Sequence, residues 1–234
     1  MSGHSKWAQI HRQKGAADTK RGALFTKLGN AITIAAKSGG GNPEANFKLR
    51  LAIDQAKAAN MPKDNIERAI IRGTGEIAGG RIEEVEYEGF GPEGTAFIIE
   101  CLTDNRNRTS SAIKHILTKY GGSLAGPNSV KWLFSQKAAI HVGKISEELE
   151  LELIDAGAQD ISKDMEGSTI YAQPNDLKKI KDFLEGKNIA VEYAEIEWVP
   201  NTNKNVTDIK AFEKIYAELE ENEDVNNYYS NAKI

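Results

Sequence analysis

The chain has 234 residues, of which 40% are hydrophobic and 27% are charged, a composition typical of globular rather than disordered proteins. Its longest apolar run, residues 96–99, is far shorter than the ~20 residues that a membrane helix needs, and the single Cys101 excludes an internal disulfide framework and a cysteine-based zinc cluster. The net charge of −4 is unevenly spread, because residues 1–73 hold 13 Lys or Arg against 5 Asp or Glu, a net +8, and residues 74–234 carry −12.

The first part of the chain is predicted to be helical. Residues 1–18 show no clear period and are expected to form an arm that can include a short helix. Apolar side chains three and four positions apart predict one helix over residues 19–37 and a second over residues 44–59. The Gly-rich stretch 38–43, which ends in Pro43, separates them, because neither residue type extends a helix cheaply.

A third helix is predicted at the end of this segment. Pro62 is tolerated in a first helical turn, and Asp64 and Glu67 have the spacing of a capping box, with Asp in place of Ser or Thr. Gly73 is expected to end the helix as its C′ residue. We therefore predict a basic three-helix domain over residues 1–73, followed by a Gly-rich linker over residues 74–80.

The pattern then changes to that of an α+β domain. Apolar and acidic residues alternate over residues 85–88, as they do in a half-buried strand. Turn-forming residues 89–94 join this strand to a more buried one over residues 95–102, which predicts a hairpin. A helix over residues 105–120 and a strand over residues 130–134 are predicted to follow.

Residues 137–199 show the order of a ferredoxin-like unit. Strands and helices are predicted in the order β-α-β-β-α-β, over residues 138–142, 146–156, 159–164, 169–172, 175–187 and 190–198. One further helix is predicted over residues 208–219. The expected fold class is α+β: a three-helix bundle and two α+β domains, with the ferredoxin-like domain (137–199) inserted into a split domain made of residues 81–134 and 201–234.

The residues offer no catalytic or metal-binding constellation. None of the four histidines, His4, His11, His115 and His141, lies in a zinc-binding motif or pairs with Cys101 at metal-ligand spacing. The three glycines at residues 39–41 lack the Lys-Ser/Thr that follows in a phosphate-binding loop. We therefore predict no catalytic residue, no metal and no cofactor, and a protein that is not an enzyme.

Cations cluster at the start of the chain, where Asp18 is the only acid among the first 43 residues. Such cations favour binding to a nucleic-acid backbone, because each neutralised phosphate releases counterions. The candidate contacts are Lys6, Trp7, Arg12, Lys14, Lys20, Arg21 and Lys27. Trp7 could stack on a base, but we favour a role in anchoring the arm on the bundle. Taken alone, the charge run could equally be the solvated face of a small helical bundle, but the early and close clustering of these cations favours the nucleic-acid interpretation.

Two arginines at the start of the middle helix are the second candidate. Arg106 and Arg108 lie in a first helical turn, where positive charge opposes the helix dipole at a cost of ~0.3–1 kcal/mol each. One explanation is an anion that the free backbone N–H groups and the guanidinium groups bind together. The other is local pairing with Asp104 or with other acidic neighbours. The sequence leaves the two explanations open.

Four segments of the chain together resemble the YebC/PmpR family: residues 1–7 (MSGHSKW), 57–66 (KAANMPKDNI), 87–92 (YEGFGP) and 102–109 (LTDNRNRT). The likeness extends over essentially the whole chain. It implies a helical N-terminal domain and two α+β domains, no enzymatic activity, and a basic surface on the cations that precede residue 28. The family more often has Gly where this chain has Glu93, a difference that bears on any close backbone contact at that turn.

Charge and resemblance together favour a cytoplasmic, non-enzymatic regulator that binds nucleic acid. The resemblance implies either a DNA-binding transcriptional regulator or, as the alternative, a ribosome-associated translation factor that contacts rRNA or tRNA and relieves stalled translation. Two other classes stay open: a phosphate-handling enzyme that uses Arg106 and Arg108, and a protein-interaction module in which the ferredoxin-like sheet binds a partner. A monomer without a membrane partner is expected.

Overall fold

The computed structural model describes residues 18–75 and 82–234. The predicted arm lies outside these residues apart from Asp18, and so does the predicted linker apart from Thr74 and Gly75. Within the described part of the chain, no helix has the length and apolar character needed to cross a membrane.

Three helices form the first described segment: α1 (Asp18–Gly39), α2 (Phe47–Ala58) and α3 (Lys63–Thr74). They confirm the three predicted helices. Their apolar faces share one core, which includes Ile32, Leu49, Ile53, Ala56 and Ile66. Asn46 starts α2, because its side-chain oxygen accepts the N–H of Leu49 at 3.1 Å and so satisfies a donor that the helix leaves free.

The ends of α3 differ from the expectation. The helix begins after Pro62 without any side-chain cap, so the predicted capping box of Asp64 and Glu67 is wrong. Gly73 lies inside the helix, and the left-handed residue that ends it is Gly75, with φ 84°. Gly73 is therefore not the C′ residue, and its lack of a side chain serves the packing of α3 against α1.

The other elements follow in chain order: β1 (Glu83–Phe90), β2 (Ala96–Thr103), α4 (Arg106–Lys119), β3 (Ser123–Ala125), β4 (Phe134–Val142), α5 (Glu147–Asp155), β5 (Ala158–Lys163), β6 (Ser168–Ala172), α6 (Leu177–Gly186), β7 (Val191–Pro200), β8 (Lys204–Asn205), α7 (Ile209–Glu221), β9 (Val225–Ser230) and β10 (Ala232–Lys233). The described strands build two four-stranded sheets and one short pair. The first sheet has the order β3-β1-β2-β9, and all its neighbours are antiparallel. The pair β8–β10 is parallel.

The second sheet belongs to the predicted ferredoxin-like unit. Its strand order is β5-β6-β4-β7, again antiparallel throughout, and α5 and α6 contribute Leu153 and Ile180 to a core with Ile140 and Ile170. Because β9 pairs in the first sheet, this unit is inserted within the chain of the other α+β unit. The α+β fold class and its insertion are confirmed, and the exact domain boundaries stay predictions.

The strand predicted over residues 130–134 is wrong. Lys131–Leu133 forms a single 3-10 turn, and β4 runs without a break from Phe134 to Val142. The cause is Glu88 in β1, which is only 5% exposed. Its carboxylate accepts the N–H groups of Asn128 (2.6 Å), Val130 (2.7 Å) and Lys131 (3.0 Å). Backbone donors that converge on one side chain are not available to a strand partner.

Glu93 occupies the turn between β1 and β2 in a left-handed backbone conformation, with φ 57°, which is costly for a residue other than glycine. Its carboxylate accepts the N–H groups of Thr207 (2.9 Å) and Asp208 (3.0 Å) and the Thr207 hydroxyl (3.0 Å). The hydrogen bonds from Asp208 and Thr207 lower the pKa of Glu93. The side chain thus fastens the start of α7 to this turn, a contact that glycine could not make.

The helical bundle lies against both α+β units. Phe47 and Leu51 of α2 pack against the core of the ferredoxin-like unit, and the Gln55 amide donates to the Glu195 carboxylate in β7. Helix α1 contacts β2 and β9 of the first sheet. The bundle therefore touches each α+β unit through a different helix.

Cys101 is expected to be unreactive in the folded protein. The thiol is fully buried in the core of the first sheet, and burial, helped by the negative charge of Asp224, raises its pKa to about 12. Because the thiolate is the reactive form, a thiol reagent at mildly alkaline pH should modify Cys101 only after unfolding in guanidinium chloride. Modification of the native protein as fast as that of the unfolded chain would contradict this burial.

Candidate nucleic-acid interface

The structure describes only part of the first candidate cluster. Lys6, Trp7, Arg12 and Lys14 lie outside the described residues. Lys20 and Arg21 belong to the start of α1, and their side chains are likewise outside the described part. Lys27 is the first cation of the cluster whose contacts are defined.

Lys27 anchors α1 on the first α+β unit. Its ammonium group donates to the backbone carbonyl of Glu220, near the end of α7, at 2.6 Å. A carbonyl at a helix C-terminus carries partial negative charge, so the lysine both satisfies a free acceptor and attracts the helix end. We infer that Lys27 serves packing as well as any contact with an anion.

Arg106 is held by a carboxylate of β1. Its Nε and Nη2 donate to the two carboxylate oxygens of Glu83 at 2.7 and 2.8 Å, and the Tyr87 hydroxyl donates to the Arg106 carbonyl at 3.1 Å. The hydrogen bond and charge of Glu83 raise the pKa of Arg106. The guanidinium side chain is still 61% exposed, so the pair is a surface ion pair.

Arg108 belongs to a denser network. Its Nη2 lies 2.7 Å from Oδ1 of Asp224 and 3.1 Å from Oδ1 of Asp104. The Thr109 hydroxyl donates to the same Asp224 carboxylate at 2.8 Å. The backbone N–H of Arg108 donates to the side-chain oxygen of Asn105, which caps α4. The ion-pair partners of both guanidinium groups are thus carboxylates of the described residues, and a role in binding an external anion stays a prediction.

An open cleft of about 610 Å³ lies between the helical bundle and the first α+β unit. Thr26 and Asn30 of α1 and Arg72 of α3 line one wall, and Arg108 and Asp224 line the opposite wall. Arg72 is fixed in that wall because it donates to Asn30 at 2.9 Å and to Thr33 at 3.0 Å. Arg72 of the helical bundle and Arg108 of α4 therefore line the same cleft, together with the carboxylates of Asp104, Glu223 and Asp224.

Helix α4 belongs to a stretch of sequence without carboxylates, which sequence reasoning missed. Residues 105–146 contain seven Lys or Arg and no Asp or Glu. Lys114 and His115 are exposed on α4, and Lys114 has no ion-pair partner among the residues that the structure describes. The signal was present in the sequence, but the net charge summed over residues 74–234 concealed it.

The described histidines form no reactive group. His141 is buried, and its Nδ1 lies 3.0 Å from the hydroxyl of Thr169 on the neighbouring strand. In the described ranges, no set of three His, Cys, Asp or Glu side chains is arranged to hold a metal ion.

Two family models match the chain. One, described as the TACO1/YebC protein N-terminal domain, matches residues 5–76, and the other, the TACO1/YebC second and third domain, matches residues 82–232. Together they leave few residues unmatched.

Proteins of similar sequence and structure agree with these matches. A probable transcriptional regulatory protein of Thermoanaerobacter pseudethanolicus is 47% identical over 240 residues, which cover 100% of this chain and 98% of the relative. One of the same description from Persephonella marina is 49% identical, with 100% and 96% covered. The crystal structure of a conserved hypothetical protein from Aquifex aeolicus has 43% identity and a TM-score of 0.86, with 98% and 97% covered.

Proposed function

The chain belongs to the TACO1/YebC family, and from that membership and its charge distribution we propose that it is a nucleic-acid-binding regulator of gene expression that catalyses no reaction. Relatives that carry the description "probable transcriptional regulatory protein" support the regulatory part of this proposal. Promoter DNA is the first candidate target.

The observation that carries the proposal is the separation of charge. The net +8 of residues 1–73 contrasts with the −12 of residues 74–234, and α4, whose own sequence holds no carboxylate, contributes Arg108 to the same cleft as Arg72 of α3. Arg106, Arg108 and Lys114 lie along that helix. A cation that is held on a rigid helix, such as Lys114, neutralises a phosphate without the entropic cost of ordering a loop.

Association with RNA on the ribosome is the second candidate. Residues 147–234 are strongly acidic, and Glu147, Glu148 and Asp155 are exposed on α5. A surface of this kind would repel a long bare duplex that wrapped the molecule. A folded RNA that contacts only the basic part of the protein would not encounter this repulsion. Basic ribosomal proteins next to that RNA could contact the acidic part.

Neutralising the arm is expected to weaken binding to the preferred polymer. In the variant Lys6→Gln/Arg12→Gln/Lys14→Gln, each lost phosphate contact should reduce the slope of log affinity against log salt by about 1, hence by about 3 in all. Gel shifts with duplex DNA and single-stranded RNA, and co-sedimentation with ribosomes, each over a salt series, would measure the slope and identify the target.

The control variant Lys178→Gln/Lys179→Gln/Lys210→Gln removes three exposed charges from α6 and α7 instead. It changes the net charge equally and should leave the slope unchanged. Equal slopes for the two variants, or no binding of any of the three polymers by the native chain at moderate salt, would refute the proposal.

A further inference from the structure

Several large apolar side chains are exposed on the α+β surface, and two of these places, on α5 and at Trp132, differ in their electrostatic surroundings. On α5, Leu151 is 66% exposed and Ile154 is 56% exposed. They lie among the exposed carboxylates of Glu147, Glu148 and Asp155, which have no ion-pair partner in the described part of the chain. A phosphate backbone would be repelled there. The other place is Trp132, which is 71% exposed in the 3-10 turn before β4.

The backbone that carries Trp132 is fixed on both sides. The Asn201 side-chain amide donates to the Trp132 carbonyl at 3.3 Å, and the Asn201 N–H donates to the Leu133 carbonyl at 2.8 Å. The preceding residues are held by the three N–H bonds to the buried carboxylate of Glu88. An exposed side chain on so constrained a backbone loses little entropy when it binds.

The indole ring itself is available. Its Nε1–H donates to the Ser129 carbonyl at 3.1 Å, so its polar atom is already satisfied and the ring needs only an apolar or π contact. No other aromatic ring or cation of the described residues contacts it. The ring thus presents an unoccupied aromatic face in a fixed position.

The two carboxylates of β1 that contact this turn are neutralised. Lys131, adjacent to Trp132, pairs with Glu86 at 2.8 Å, and Glu88 is buried with three hydrogen-bond donors. Trp132 also lies within the stretch 105–146, which contains no Asp or Glu. A negatively charged strand can therefore approach this ring, which it could not do at Leu151.

We propose that Trp132 is a stacking platform for an unpaired nucleobase, and hence that the bound nucleic acid includes single-stranded residues. The inference rests on the proposed nucleic-acid function and specifies the kind of strand. Every base has a π face, so one aromatic platform accepts any unpaired base. In an uninterrupted duplex the faces are already stacked on neighbouring bases and none is left for the indole.

The test uses the full chain with Trp7→Phe and Trp198→Phe, which leaves Trp132 as the single tryptophan. A short single-stranded RNA should quench its fluorescence, whereas the same sequence annealed into a duplex should not. In the otherwise native chain, Trp132→Ala should weaken binding of the single strand about 5- to 150-fold. Trp132→Phe keeps a ring and should retain most of the affinity.

The outcomes separate this inference from the function on which it rests. Unchanged binding by Trp132→Ala, together with reduced binding by the arm variant, would overturn the platform and leave the nucleic-acid function in place. Equal quenching by duplex and single strand, or equal losses for Trp132→Ala and Trp132→Phe, would also overturn the platform. Absence of binding of any nucleic acid by the native chain would overturn the function itself.

Discussion

Replacing Glu88 with Ala is expected to lower the free energy of unfolding by about 3–5 kcal/mol. The side chain is 5% exposed and accepts three backbone N–H groups of the segment that leads into β4. Without it, those donors lose their acceptor, and an unsatisfied buried donor typically costs ~1–3 kcal/mol. Chemical denaturation followed by circular dichroism would measure the loss.

Glu86→Ala is the matched control. Glu86 lies two residues earlier on the same face of β1, is partly exposed and pairs with Lys131. A surface ion pair contributes ~0–1 kcal/mol, so this variant should lose less than about 1 kcal/mol. If the two variants lost similar amounts of unfolding free energy, the three N–H hydrogen bonds of Glu88 would add little stability beyond that of a charged carboxylate.

The contribution of Glu88 to the free energy of unfolding should depend on pH. Burial by itself would raise the pKa of Glu88, but the hydrogen bonds from Val130, Asn128 and Lys131 outweigh burial and hold the pKa below its ordinary value of 4.5. A carboxyl group whose pKa is lowered by folding stabilises the protein above its unfolded pKa, and this stabilisation is lost as pH falls through the folded pKa. The difference in stability between the native chain and Glu88→Gln should therefore be full near neutral pH and shrink below pH 4.5.

The same carboxylate shows where sequence-based prediction of the fold stops. Helices and the ferredoxin-like strands could be predicted because their apolar periods are local. The segment 130–134 has the residue types of a strand. Its first backbone N–H groups, however, donate to the carboxylate of Glu88, some 40 residues earlier in the chain. Strand β9 was missed because Asn226 and Asn227 interrupt its apolar pattern, and its pairing with β2 joins residues far apart in sequence. The strands β3, β8 and β10 have three residues or fewer, too few to show alternation.

The candidate site shows a similar limit. Arginines in a first helical turn could be recognised as unusual from sequence alone. The carboxylates that bind these arginines could not be predicted, because the one that binds Arg108 belongs to Asp224, which lies 116 positions away in the sequence. The sequence predicts Trp132 only as part of a strand, since nothing local indicates that its ring faces solvent. Long-range contacts, rather than residue type, decide both cases.

Gly73→Ala is expected to destabilise the helical bundle by about 1–3 kcal/mol, although alanine is the better helix former. A methyl group at Gly73 would lie 2.4 Å from the backbone oxygen of Thr33 and 2.7 Å from the side chain of Ala36. Both belong to α1, so relief requires that α1 and α3 move apart. That movement would also stretch the hydrogen bond from the Thr33 hydroxyl to the Ala69 carbonyl, now 3.1 Å.

Gly29→Ala in α1 separates packing from helix propensity. An added methyl group there meets nothing within 4 Å, so the variant should gain about 0.5–1 kcal/mol from propensity alone. One chemical change is therefore expected to have opposite signs at two helical glycines, as measured by denaturation of each variant. If both variants were stabilised, the contact between α1 and α3 would have to be loose enough to admit a methyl group.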